Sequence, residues 1–263
     1  MASMSPIDLL PLWALYLVTL AVVVVAHEAG FRAGRVRAQR RDHESGTPVG
    51  GMVAAQLGLL AFLLAFTFGI ATSRFDTRRQ VLLDEVNAIG TVYLRAEMLP
   101  EAQQAEVRND LREYVDIRIA VAQEGQMLHE AVARSEALQR RMWDAAMVVA
   151  RQDPHSITVG LFIESLNDVI DLHTKRLNAA LRTRIPMPAW MLLFSVAVLS
   201  FGAMGYQSGL SKSSRSPAMI VLAITFTAVL TLVADLDRSG KGLLRVSQLP
   251  MVELRDSMKP QGP

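Results

Sequence analysis

The chain has no cysteine among its 263 residues. That excludes disulfides, thiolate catalysis and cysteine-ligated metal centres. Its charges nearly cancel, 27 Lys and Arg against 25 Asp and Glu, so no net field argues for a nucleic-acid partner. The five histidines have no metal-ligand spacing to one another. GxSxG, P-loop and GxGxxG patterns are absent. With no nucleophile–base pair in view, the chain is not read as an enzyme, and no cofactor is expected. His27 and Glu28 begin like a zinc-protease HExxH, but Phe31 stands where the second histidine belongs. They read as a polar pair at a membrane edge. Strand candidates of useful length and internal repeats are also missing. The start, MASMSPIDLL, lacks a positive n-region, and no small-residue cleavage site follows, so the first apolar run is expected to stay in the mature protein.

What the chain has in quantity is apolar length. Hydrophobic residues make up 51% of it, and the mean hydropathy is positive. Four runs carry no charge: Leu9–Ala26 with 18 residues, Ser45–Ser73 with 29, Ile185–Ser211 with 27 and Ser216–Ala234 with 19. Each is long enough to span a bilayer, which needs about 20 apolar residues. The reading is an all-α integral membrane protein with four transmembrane helices. Its organisation is residues 1–73 with the first two spans, 74–185 as a helical extramembrane domain, 186–235 with the last two spans, and a tail, 236–263, that packs back on the helical domain.

The stretch Gly51–Met98 organises the rest. Its first half is uncharged, its second half is charged and periodic, and no proline interrupts it. As one helix it reaches roughly 70 Å against about 30 Å of hydrocarbon, so more than half stands outside the membrane. Taking 100° per residue from Phe62, the positions Phe66, Gly69, Ser73, Gln80, Asp84, Asn87 and Thr91 fall within about 40° of one line. Leu82, Val86, Ile89 and Tyr93 fall on the opposite side. Phenylalanines in the membrane thus lead into a polar line beyond it, as suits a helix beside a water-filled axis. The plainer reading leaves Phe62 and Phe66 in lipid or bundle core and Asp84 merely solvated.

Between the second and third spans the periodicity predicts further helices. One opens at Pro100 or Glu101, with Val107, Leu111, Tyr114, Val115 and Arg118 at helical spacing, and the sequence EGQ at 124–126 interrupts it. Another covers Met127–Gln152. Asp153-Pro154 ends that helix, with Asp153 placed to cap the next one. The fourth carries Leu161, Glu164, Asp168, Asp171 and Lys175 along one ridge and stops before Pro186. Glu164, Asp168 and Asp171 with His173 could supply a divalent-ion site, but a solvated charged face is the commoner outcome of such a ridge. In the third span, Ser195, Ser200, Gly202, Ala203 and Gly205 permit close helix approach. The fourth span ends in Asp235 and Asp237, carboxylates that a helix C-terminus opposes by up to about 1 kcal/mol each. Something must compensate: Arg238 is the nearest candidate for a structural salt bridge, and a basic residue on a neighbouring subunit or a bound metal ion is the alternative. Threonines 67, 72, 225, 227 and 231 are expected to bond their own helix backbone.

No span has an ionisable group at mid-depth. That disfavours proton pumps, voltage sensors and ion-coupled carriers, whereas a passive pathway can gate at an apolar constriction and filter at a ring of carboxylates. Basic residues near the membrane do not decide orientation. Seven flank the short loops (Arg32, Arg35, Arg37, Arg40, Arg41, Lys212, Arg215) and ten lie on the other side, but short loops and the first span weigh more.

The segments AFLLAFTFGIATSRFDTRRQVLLDEVNAIGTVYLRAEMLP, VGLFIESLNDVIDLHTKRL, MGYQSGL and ADLDRSGKGLLRVSQLPMVELR resemble the bestrophin-like domain family, remotely related to the bestrophin channels. The resemblance implies a homo-oligomer, a ring of five subunits around an axial pore, in the cell membrane with the helical domain and termini in the cytoplasm. It implies a neck formed by the second span, with apolar rings four residues apart; Phe62, Phe66 and Ile70 match. Gly69, Ser73, Gln80, Asp84, Asn87 and Thr91 would line the rest of the path. The long acidic calcium-clasp run of animal bestrophins is missing, Asp235 and Asp237 being its only remnants, so calcium gating is not implied. The expected partners are further copies of the chain, the lipid bilayer and inorganic ions. The rival reading is a non-conducting membrane scaffold or stress sensor whose helical domain binds a partner.

Overall fold

A computed structural model describes residues 10–40, 49–124, 128–181, 183–211, 217–238 and 242–259. The N-terminal start, most of the turn after the first span and the interruption expected at EGQ lie outside the described residues. All regular structure among the described residues is helical: α1 Leu12–Arg40, α2 Val49–Arg95, α3 Glu101–Glu124, α4 Leu128–Gln152, α5 Ile157–Leu181, α6 Met187–Leu210, α7 Pro217–Asp237 and α8 Leu249–Ser257. A 3-10 turn, Ala96–Met98, tightens the end of α2 before Pro100, as expected where proline forbids another helical turn. Among the described residues four helices are long and apolar enough to cross a membrane: α1, α2, α6 and α7.

The chain divides into two compact units, residues 1–75 with 184–244, and 76–183 with 245–263. The first unit contains α1, α6, α7 and the apolar part of α2. Its helices approach on glycine. A Cβ on Gly30 of α1 would fall 1.9 Å from the carbonyl oxygen of Gly202 on α6, and one on Gly205 would fall 2.0 Å from that of His27. In lipid, where burial alone drives little, such backbone-on-backbone contact supplies the dispersion energy that holds helices together. Trp190, Leu193, Phe201, Phe226 and Leu230 fill the remaining space. Pro186 caps α6 and a second proline sits in its first turn, where a missing N–H costs nothing.

The second unit holds α3, α4, α5, α8 and α2 beyond Phe75. Leu82, Ile89 and Val92 of α2 meet Leu111, Tyr114, Met142, Phe162 and Leu166 in an apolar core. This unit lies outside the uncharged spans, and each fully buried side chain of that size contributes about 1.5–3 kcal/mol. The cap of α5 differs from expectation. Asp153 Oδ1 accepts from the N–H of His155 at 3.2 Å, holding the turn, while Ser156 Oγ accepts from the N–H of Val159 and caps the helix. The Asp153 side chain is used one turn too early to reach α5. α8 opens with a proline in its first turn and packs on α3. Tyr93 Oη and Arg112 Nε both donate to the carbonyl of Met258, at 3.0 and 2.9 Å, and the Arg108 guanidinium lies over the Tyr93 ring.

Candidate functional site

Each unit carries its own part of the line along α2. In the first unit, Phe62 and Phe66 are 65% and 61% exposed. Their rings stack with centroids 6.4 Å apart, because residues four apart on a helix stand one above the other. One turn further on, Gly69 leaves a gap; a Cβ there would meet nothing within 4 Å. A shallow, open depression beside it is lined by Ala65, Phe66, Gly69, Ile70, Ser73 and Arg74, all of α2. Ile70 borders it while packing its other side against the apolar core of the unit, so it stands apart from the two stacked rings. Thr67 and Thr72 donate to the carbonyls of Leu63 and Phe68, and Thr225 and Thr231 to those of Val221 and Thr227. Those four hydroxyls are spent on their own helices.

The carboxylates at the end of α7 have protein partners. Asp235 accepts the N–H groups of Leu243 and Leu244, one on each oxygen, at 3.0 and 2.9 Å. A Cβ on Gly242 would fall 2.0 Å from Asp235 Oδ1, so a larger residue there would push the carboxylate aside. Asp237 Oδ1 accepts the N–H of Ile185 at 2.9 Å and lies 3.8 Å from Arg74 Nη1. Arg238, the partner nearest in sequence, donates to the carbonyl of Leu10. Backbone donors from folded-back chain thus offset the helix dipole. Among the described residues no group of three or more His, Asp or Glu could hold a metal ion. This covers the ridge of α5 as well, because His173 turns into the core while Asp168 and Asp171 face out.

In the second unit Asp84 accepts from Gln80 Nε2 at 2.9 Å, and Thr91 donates to the carbonyl of Asn87. Asp84, Asn87 and Thr91 line a polar groove of about 330 Å³ that also takes Asp168, Asp171 and Lys175 from α5. The sequence pattern identified both ridges separately, but nothing in it joined them.

Behind this groove lies a cluster that sequence reasoning missed. The Glu85 carboxylate is fully buried. It accepts from Tyr114 Oη at 2.9 Å on Oε1, and from Arg176 Nη1 and, at 3.5 Å, Arg118 Nη2 on Oε2, while Arg118 Nε lies in ion-pair contact 3.1 Å from Oε1. Arg176 also donates to Gln248 Oε1 at 2.9 Å. His173 Nδ1 lies 3.2 Å from Tyr114 Oη and 3.4 Å from Arg118 Nη1. Since Arg118 can only donate, Nδ1 is the acceptor and the neutral ring keeps its proton on Nε2, which is buried without a hydrogen-bond partner. Burial raises the Glu85 pKa, but the charges of Arg118 and Arg176, with the hydrogen bonds from Arg176 and Tyr114, outweigh it and hold the group below its ordinary value. Burial and then the Arg118 charge push His173 down to about 4. Burial and the neighbouring carboxylate push the Tyr114 phenol up. The signal for this cluster was available: Arg118 shares a helical face with Leu111, Tyr114 and Val115, and an arginine on an apolar face needs a buried anion.

The Bestrophin-like domain family matches residues 17–251 of the chain. Solved structures of similar fold include a single-substitution variant of a bacterial bestrophin homologue from Klebsiella pneumoniae, with a TM-score of 0.65 and 14% identity over 93% of this chain and 94% of that one. A second structure of that homologue gives 0.60 at 14% identity over the same shares. A further membrane protein gives 0.63 at 14% identity, covering 94% and 98%. At that identity the likeness is one of fold. No functionally curated protein matches the chain.

Proposed function

Because the chain belongs to the Bestrophin-like domain family, whose fold is ion-channel-like, we propose that it is a homo-oligomeric ion channel. Copies of α2 surround a central axis, five of them by the family resemblance. Phe62 and Phe66 narrow the path, with Ile70 at its edge, and Gly69, Ser73, Gln80, Asp84, Asn87 and Thr91 line its continuation. The observation that carries this reading is the pair of stacked phenylalanines on α2, open to the outside of the protomer; in the second unit Gln80, Asn87 and Thr91 of the same helix are exposed as well. An apolar ring of this kind gates by dewetting. The groove in the second unit sets three carboxylates, Asp84, Asp168 and Asp171, against one cation, Lys175, and that balance favours cation passage there.

The membrane setting is the cell membrane, with the helical unit and termini on the cytoplasmic side by family resemblance. A scaffold reading draws on a different observation: Leu94 and Ile157 of the second unit are large apolar side chains exposed to 66% and 79%, as a bound partner protein would require. Purified full-length protein in a planar bilayer tests the channel reading. Discrete single-channel steps are expected. A silent bilayer, together with a monomer or dimer in detergent, would overturn it in favour of the scaffold.

A further inference from the structure

An apolar stripe specifies which side of a helix is buried but specifies its height poorly. Leu82, Ile89 and Val92 of α2 would meet other apolar side chains after a slide of one turn, about 5.4 Å. A buried carboxylate tolerates no such slide. Glu85 holds Arg118 and Tyr114 of α3 and Arg176 of α5 at once, and moving it one turn would strand two buried guanidinium groups without their anion. Rotation of α2 by one residue would carry Glu85 into the groove and leave Asp84, one methylene shorter, to reach the two guanidinium groups. Replacing such buried charges by apolar groups of similar volume is commonly neutral for stability or better, and the best-attested use of a buried ionic group is to specify register.

We propose that Glu85 is the positioning residue that sets the height and rotation of α2 against α3 and α5, so that Asp84, Asn87 and Thr91 reach the surface. For its purpose the proposal rests on the channel reading, since that line is the ion path. The pinning itself needs no ion flow to be measured. One setting of α2 follows from two arginines arriving on one carboxylate from two different helices. Tyr114 completes the shell on Oε1, and Gln248 Oε1 accepts from Nη2, the other terminal nitrogen of Arg176.

The absence of native cysteine makes every introduced thiol a unique label in the full-length protein in nanodiscs. Single cysteines at Asn87 and Thr91 are expected to react quickly with a charged methanethiosulfonate, and those at Ile89 and Val92 slowly. In the combined variant Glu85→Met, Arg118→Met, Arg176→Met, which leaves no unpaired charge of this cluster, we expect a cooperative fold in which that contrast drops by about tenfold or more, as alternative settings of α2 become populated. Arg176→Gln alone, with Glu85 still paired to Arg118, should reduce the contrast part of the way. An unchanged contrast in the combined variant would mean that apolar packing alone sets the register, and a combined variant that cannot fold would mean that the cluster simply holds the unit together. Either result overturns the proposal. Intact contrast in the native chain with no single-channel activity would remove the channel reading and leave the positioning role standing.

Discussion

Arg118 Nε stands 3.1 Å from Glu85 Oε1, with side chains 7% and 0% exposed, in the middle of the helical unit. Arg176 brings a second guanidinium to the same carboxylate, so these three groups carry a net positive charge. Burial and then the Arg118 charge keep the imidazole of His173 beside them neutral, and its environment converts directly into a dependence of stability on pH.

His173 faces Tyr114 and Arg118 from α3, Glu85 from α2, Glu136 from α4 and Arg176 on its own helix. Its folded-state pKa, about 4, lies below the ordinary 6.5, so between those values the unfolded chain binds the extra proton. Stability is then complete above pH 6.5 and falls as the pH drops toward 4, by up to about 3 kcal/mol. Glu85, also lowered, adds a loss in the same direction below its ordinary 4.5. Melting temperatures across pH 7.5 to 4.5, about the span of these titrations, should fall steadily in the native chain. In His173→Asn, which keeps an acceptor near the Nδ1 position, they should fall much less; parallel curves would show that another group titrates.

Gly205 and Gly69 should respond oppositely to alanine. At Gly205 the new Cβ meets the carbonyl of His27 at 2.0 Å, α1 and α6 must separate, and a loss of about 1–3 kcal/mol is expected. At Gly69 nothing lies within 4 Å, so melting in detergent should be unchanged while the depression beside Phe66 shrinks. Equal melting temperatures for both variants would contradict the close helix contact.

Phe66→Ala removes one of the two stacked rings. If those rings narrow the path, unitary conductance rises. Currents equal to those of the native chain would place the rings in lipid.

Asp84→Asn removes one of three carboxylates in the polar groove, and Asp168→Asn another. Each should shift the reversal potential in a salt gradient toward anion passage, and the double variant should shift it further. A double variant that leaves the reversal potential where it was would take the groove out of the pathway.

Asp235→Ala strips acceptors from the N–H groups of Leu243 and Leu244. We expect a loss of about 1–3 kcal/mol that neither calcium nor a chelator alters. A calcium-dependent rise in the melting temperature of the native chain, absent in Asp235→Ala, would instead assign a metal ion to Asp235 and Asp237.

Much of this architecture is local, and local chemistry is legible in a linear sequence. Uncharged runs of bilayer length mark the spans, Pro100 and Pro186 mark boundaries, and the 4-3-4 spacing of Leu82, Val86, Ile89 and Tyr93 marks the buried side of α2. Each depends on residues within a turn or two of one another, where the period of the helix does the arithmetic. The partners of Asp235, the meeting of the α2 and α5 ridges around one groove, and the closure of Arg118 and Arg176 on Glu85 could not be read that way. Each joins positions far apart in the chain, and charge at one position does not say which distant opposite charge it will find. Only tertiary packing decides that pairing, because a buried charge is tolerable solely where the fold delivers its counter-ion.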